Sequence, residues 1–206
     1  MKSAVVDAGR RLWSRGLVGA REGNISVRLP DGAVLCTAAG ADKGHLSESD
    51  IVRMRLDGGF EGTTPPSSEA RIHLRAYRER PDCMAVVHAH PPGATAFTVA
   101  GEPFPDGVLP EASYVLGPVA TVEFAFPGTD EVADGLSRYL GGHKTFLLSH
   151  HGAVTLGSTL DEAVDRMETL ERIAQILLAA KGLGRVVPMP AEALRRLAPK
   201  MDGRLG

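Results

Sequence analysis

Apolar residues recur along this chain in two periods, and the switches between them mark out its elements. In SAVVDAGRRLWSRGL the apolar positions, Ala4, Ala8, Leu12 and their neighbours, follow helical spacing, and Gly16 supplies a stop. GNISVRLPDGAVLCT changes to alternation at Ile25, Val27 and Leu29, and its Asp31-Gly32 pair predicts a hairpin turn. SEARIHLRAYRER predicts a helix with serine at its start, and MAVVHAH a short strand. PPGATAFTVA predicts a short helix opened by prolines, which suit a first turn. GTDEVADGLSRYLGG reads as another helix, KTFLLSHHG as a buried strand and AVTLG as one more.

The longest signal is TLDEAVDRMETLERIAQILLAAKGLG. Thr159 and Glu162 have capping-box spacing, and Ala163, Met167, Leu170, Ala174 and Leu177 fall on one face. Gly182 or Gly184 supplies its end. VVPMPAEALRRLAPKM then reads as a short amphipathic helix, and Trp13 as a core anchor for the first helix. No internal repeat or linker interrupts the pattern, so residues 1–206 are expected to form one mixed α/β domain.

Composition narrows the function classes. A length of 206 residues allows one domain with a sizeable core. A net charge of -2 with no basic stripe gives no reason to expect nucleic acid. No apolar run reaches the roughly 20 residues of a membrane span. The N-terminus turns charged before a signal-peptide core forms. Cys36 and Cys83 form no CxxC pair and read as reduced, buried thiols, so a cytoplasmic location is expected.

The candidate chemistry lies in the histidines. Of seven, His88 and His90 stand two apart at the end of a predicted strand, where residues i and i+2 share a face. They aim together, about 7 Å apart by strand rise, and two imidazoles so placed can share a metal. KTFLLSHHG ends a second strand with His150 and His151, which point to opposite faces, so one of the two is the expected third ligand. Three neutral imidazoles with an open fourth position suit catalytic zinc. His45, His73 and His143 read as structural or surface residues.

Other residues have a plain reading beside a chemical one. Ser67, Ser68 and Glu69 open a predicted helix, with Ser68 as its N-cap; the same helix end is also an anion site. Glu69 beside it has the chemistry of a general base, with a pKa expected to be raised by burial. Gly23 and Asn24 occupy a tight turn that suits a phosphate cradle, to which Gly40 and Lys43 add N–H groups and charge.

Taken together, GNISVR, AAGADKGHLSESDIV, PSSEARIHLRAYRERPDCMAVVHAHPP, FPGTDEVADGL and LLSHHGAVTLGSTLDEAVDRMETLE resemble the class II aldolase/adducin family in order and interval. The nearest likeness is to its L-fuculose-1-phosphate aldolase-like members. The resemblance implies a three-layer α/β/α fold with a largely antiparallel central sheet. It implies that His88, His90 and His151 hold Zn2+ or another divalent metal, one per chain, with Glu69 as catalytic acid/base. It places substrate phosphate on Gly23, Asn24, Gly40, Ser67 and Ser68. It also implies a homotetramer with active sites between subunits and Tyr114 as proton donor from a neighbouring copy.

Ala39-Gly40 stands where the family often has Thr-Gly or Ser-Gly, a missing hydroxyl worth about 1 kcal/mol. The tail after Gly184 lacks the tyrosine found in the fuculose enzyme. The implied reaction is reversible cleavage of a ketose 1-phosphate, L-fuculose 1-phosphate or a deoxy or methylthio relative, into dihydroxyacetone phosphate and an aldehyde. Alternatives with the same metal are dehydration of methylthioribulose 1-phosphate and decarboxylation of an oxo-acid phosphate. Epimerisation of ribulose 5-phosphate fits less well, because the epimerases resemble an aspartate-containing pattern where this chain has SSE. A non-catalytic adducin-like binding head is the remote alternative, since those domains lack the histidines.

Overall fold

Most strands here carry buried side chains on both faces, which demands a helical layer on each side of the sheet. The computed structural model describes residues 1–201. Its seven strands are β1 (Asn24–Arg28), β2 (Val34–Thr37), β3 (Ile51–Met54), β4 (Ala85–Ala89), β5 (Val119–Val122), β6 (Thr145–Leu148) and β7 (Gly152–Gly157). They lie in the order β3-β2-β1-β4-β7-β6-β5. All neighbouring pairs are antiparallel except β5 with β6.

Two cores sandwich this sheet. Helices α1 (Lys2–Ser14), α3 (Pro92–Val99) and α5 (Leu160–Gly182) cover one face, burying Val5, Leu12, Phe97, Met167 and Leu170 against Ala85, Val87 and Ala89. Helices α2 (Ala70–Glu79) and α4 (Asp130–Ser137) cover the other, where Ile72, Ala76, Val132 and Leu136 meet Val86 and Val154. The fold is therefore three-layered α/β/α with a largely antiparallel sheet. A last helix, α6 (Ala191–Met201), packs near a π-helical turn at Ala112–Leu116. Among the described residues, no helix is long and apolar enough to cross a membrane.

Several local expectations need correction. The hairpin between β1 and β2 closes through residues 29–33 rather than a two-residue turn. Its last strand pair is Arg28 with Val34, and the Leu29 N–H donates to the Ala33 carbonyl at 2.7 Å. The capping box on α5 is half formed. Thr159 Oγ1 accepts from the Glu162 N–H at 3.1 Å, but the Glu162 carboxylate turns back to the Ser158 N–H at 2.6 Å. The N-cap of α2 is Glu69 rather than Ser68, and Ser67 Oγ accepts from the Glu69 N–H. Trp13 is 45% exposed, because α1 buries the stripe Val5, Val6, Ala8, Gly9 and Leu12 and Trp13 lies beside it. Its ring covers Gly44 and meets His45 edge-on instead. The pattern also did not predict β3, β5 and the π-helical turn.

Candidate metal centre

Strand phase sets the site. His88 is in phase with Val86 and so faces the α2 side of the sheet, where Glu69 precedes the helix. His90 follows two residues later, and His151 lies just before β7, the antiparallel neighbour of β4. One nitrogen from each of these three rings falls within 4.8 Å of the others. His88 Nε2 and His90 Nε2 are 3.2 Å apart. A tetrahedral zinc with bonds of about 2.05 Å separates its ligand nitrogens by roughly 3.3 Å. The His88 Nδ1–H donates to the Ala153 carbonyl at 2.9 Å, which leaves the Nε2 lone pair for a ligand. A divalent cation at this point would take one lone pair from each ring, so the donor set fits a divalent metal. His150 turns away: its N–H donates to Thr98 Oγ1 at 3.1 Å, and its ring faces Phe124.

Glu69 faces the same point. Its Oε2 lies 3.2 Å from His88 Nε2 and its Oε1 3.2 Å from His151 Nε2. Asn24 Nδ2 donates to Oε2 at 3.0 Å, and Asn24 pairs with His88 in the sheet register. Burial pushes this carboxyl upward, but the adjoining His151 and His88 rings outweigh it and hold it well below the usual carboxylate range. The expected upward shift is thus reversed in this arrangement. Burial, with His88 and His151 nearby, lowers His90 to about 4, which keeps its ring neutral and able to ligate.

The predicted anion-binding segments are tied to one another. Ala39 N–H donates to the Pro65 carbonyl and Ser67 N–H to the Thr37 carbonyl, which ties the Gly40 turn to Ser67 and Ser68. Lys43 is 2% exposed and does not offer its charge to solvent. Its ammonium donates to the Arg21 carbonyl at 3.0 Å and the Ala41 carbonyl at 2.6 Å, stapling the Gly40 turn to the segment before Gly23. Tyr114 lies elsewhere in the chain. It sits on the π-helical turn, 38% exposed, in an open groove of about 1380 Å³ along α5 whose lining includes none of the three histidines.

Residues 3–178 match the Class II Aldolase and Adducin N-terminal domain. The chain belongs to the class II aldolase and adducin family. A 3-oxo-tetronate 4-phosphate decarboxylase of Haemophilus influenzae is 34% identical over 185 residues, 88% of each chain. A 5-methylthioribulose-1-phosphate/5-deoxyribulose-1-phosphate aldolase of Rhodospirillum rubrum is 32% identical over 97% of this chain and 90% of its own. A solved L-fuculose 1-phosphate aldolase superposes with a TM-score of 0.89 at 32% identity, covering 98% of this chain and 95% of that one. Aldol cleavage and decarboxylation both break a carbon–carbon bond, and this class II aldolase family member is a carbon–carbon lyase.

One feature of this family member was not anticipated from the sequence. Beneath Glu69, the α2 residues His73 and Tyr77 face Ser26 of β1, all buried. Ser26 Oγ bridges His73 Nδ1 at 2.6 Å and Tyr77 OH at 2.7 Å, and the Arg28 guanidinium lies over the Tyr77 ring. The signal was present as two interleaved spacings, Asn24-x-Ser26-x-Arg28 on the strand and Glu69-x3-His73-x3-Tyr77 on the helix. Strand alternation of this kind reads as a solvated face, whereas here a helix covers it.

Proposed function

We propose that this protein is a divalent-metal-dependent, zinc-type aldolase that reversibly cleaves a ketose 1-phosphate to dihydroxyacetone phosphate and an aldehyde. The observation that carries the proposal is one carboxylate, Glu69, within 3.2 Å of two converging imidazole nitrogens. A cation held by His88, His90 and His151 supplies Lewis-acid stabilisation to charge developing on the ketone and adjacent hydroxyl oxygens. Glu69 carries the proton of the hydroxymethyl carbon, removing it in the addition direction and returning it after cleavage. Asn24 holds the carboxylate in place through its amide. The Gly23-Asn24 and Gly40 turns with Ser67 and Ser68 bind the phosphate, and that remote grip orients the reacting carbons. Assembly as a homotetramer brings Tyr114 of one copy to the metal centre of another, where its hydroxyl serves the second oxygen. A cytoplasmic location accords with a phosphorylated sugar as substrate.

A second reading is supported by the higher identity to the decarboxylases. Loss of carbon dioxide from a 3-oxo-tetronate 4-phosphate leaves the same three-carbon ketone phosphate, and Glu69 again governs the proton on its carbon. Product analysis separates the readings. The metal-loaded protein is given 5-methylthioribulose 1-phosphate, L-fuculose 1-phosphate and 3-oxo-tetronate 4-phosphate in turn. An aldehyde with dihydroxyacetone phosphate supports the aldolase, carbon dioxide the decarboxylase and a diketone a dehydratase. Glu69→Gln is expected to slow exchange of the dihydroxyacetone phosphate carbon-bound proton by at least about 100-fold while metal stays bound. Wild-type exchange in that variant removes Glu69 from the mechanism.

A further inference from the structure

One buried carboxylate, that of Glu171, takes no part in the proposed chemistry. Glu171, in the middle of α5, is 5% exposed and has no cationic partner within ion-pairing range among the described residues. Its two oxygens accept instead from the backbone N–H groups of Gly93 and Ala94, each at 3.0 Å. Those N–H groups open α3, three and four residues after His90. Gln175, one turn further along α5, donates its amide to Glu171 Oε1 at 2.8 Å and fixes the carboxylate. Gly93 is fitted to the arrangement, since a Cβ there would lie 2.9 Å from Glu171 Oε1.

A buried carboxylate is costly unless its hydrogen bonds are made, and here the first N–H groups of a helix and the positive end of its dipole make them. Ordinary N-caps lie next to their helix in sequence, whereas this one comes from residue 171. The link therefore does more than end a helix. It locks the Pro91-Pro92 turn, and with it the backbone leaving His90, onto the longest helix of the molecule. On the other side of His90, its own N–H donates to the Leu17 carbonyl at 2.9 Å. The His90 backbone is thereby held from both directions. The ring itself is only part-buried, so packing alone does not fix it.

We infer that Glu171 is a positioning residue that sets the approach of His90 to the metal by capping α3 from α5. The inference rests on the metal-centre reading above. The test uses the full chain stripped of metal and reloaded with Co2+, whose visible spectrum reports ligand geometry. Wild type must first bind Co2+ at about one ion per chain; failure there sinks the metal centre itself rather than the role of Glu171.

Glu171→Ala is expected to weaken Co2+ binding at least tenfold, measured against a competing chelator, and to alter the visible band. Glu171→Gln, which keeps one acceptor oxygen and the side-chain length, is expected to retain the wild-type band and lose no more than about threefold in affinity. An Ala variant with wild-type affinity and spectrum overturns the inference. So do Ala and Gln variants that lose affinity equally, because that marks a merely structural residue. Should the Ala variant not fold, Glu171→Asp, one methylene too short to reach both N–H groups, is read in its place with the same criteria.

Discussion

Single residues at this centre carry more than one demand. Gly23 suits a phosphate cradle by its place in the sequence, but its backbone also has φ +67°, and a Cβ there would lie 2.6 Å from the His88 carbonyl and 2.9 Å from Val18. Gly23→Ala is therefore expected to destabilise the fold by about 2–3 kcal/mol, measured by urea unfolding, whether or not phosphate is present. His73 makes a second residue-scale prediction. Burial, reinforced by the nearby His88, lowers its pKa to about 3, below the usual 6.5 of an unfolded chain. Between those values the unfolded chain holds a proton that the folded one does not. Stability therefore falls as pH drops from about 6.5 towards 3. His73→Asn is expected to flatten that dependence by up to about one proton, read from unfolding free energies at several pH values. Identical slopes would mean that His73 is not held neutral. The histidines of the candidate centre were legible because strand phase and motif order act over a few residues. The role of His73 was not, because it depends on a strand and a helix 47 residues apart meeting.

At the scale of elements, α5 is the strut of the molecule. It packs on α1 and α3, lies against β4 and β7, and sends Arg166 to the carbonyls of Val115 and Leu156. Its start is set by Thr159, whose hydroxyl oxygen accepts from the Glu162 N–H. Thr159→Ala is expected to cost about 1 kcal/mol of stability with no change in metal content, checked by denaturant midpoint and metal analysis. A loss of metal alongside would show that the helix start and the centre are coupled. Long helices and the central strands were readable from periodicity, since many residues repeat the same signal. The four-residue strands β3 and β5 and the π-helical turn were not. Two alternations do not establish a period, and these edge elements are fixed by their neighbours.

The molecule as a whole joins two separate cores at one point. Strands β1 and β4 lie between the cores, α2 belongs to one and α5 to the other. Residues from or beside β1, β4, β7 and α2 converge where the three imidazoles meet. A cation there binds the folded arrangement only, because the unfolded chain does not hold residues 88, 90 and 151 together. Linkage then makes metal a stabiliser of the entire fold, by about 4 kcal/mol at a thousandfold excess over its dissociation constant. Stripping metal with a chelator is therefore expected to lower the thermal midpoint of the wild-type protein by several degrees. Restoring Zn2+ should recover it. In His90→Ala, with one of three imidazoles gone, the chelator and the added metal should both leave the midpoint nearly unmoved. A wild-type midpoint indifferent to chelation, in protein that analysis shows to have lost metal, would mean that the three rings are held by the two cores alone. The centre would then be preformed, and the metal would contribute to chemistry without contributing to the fold.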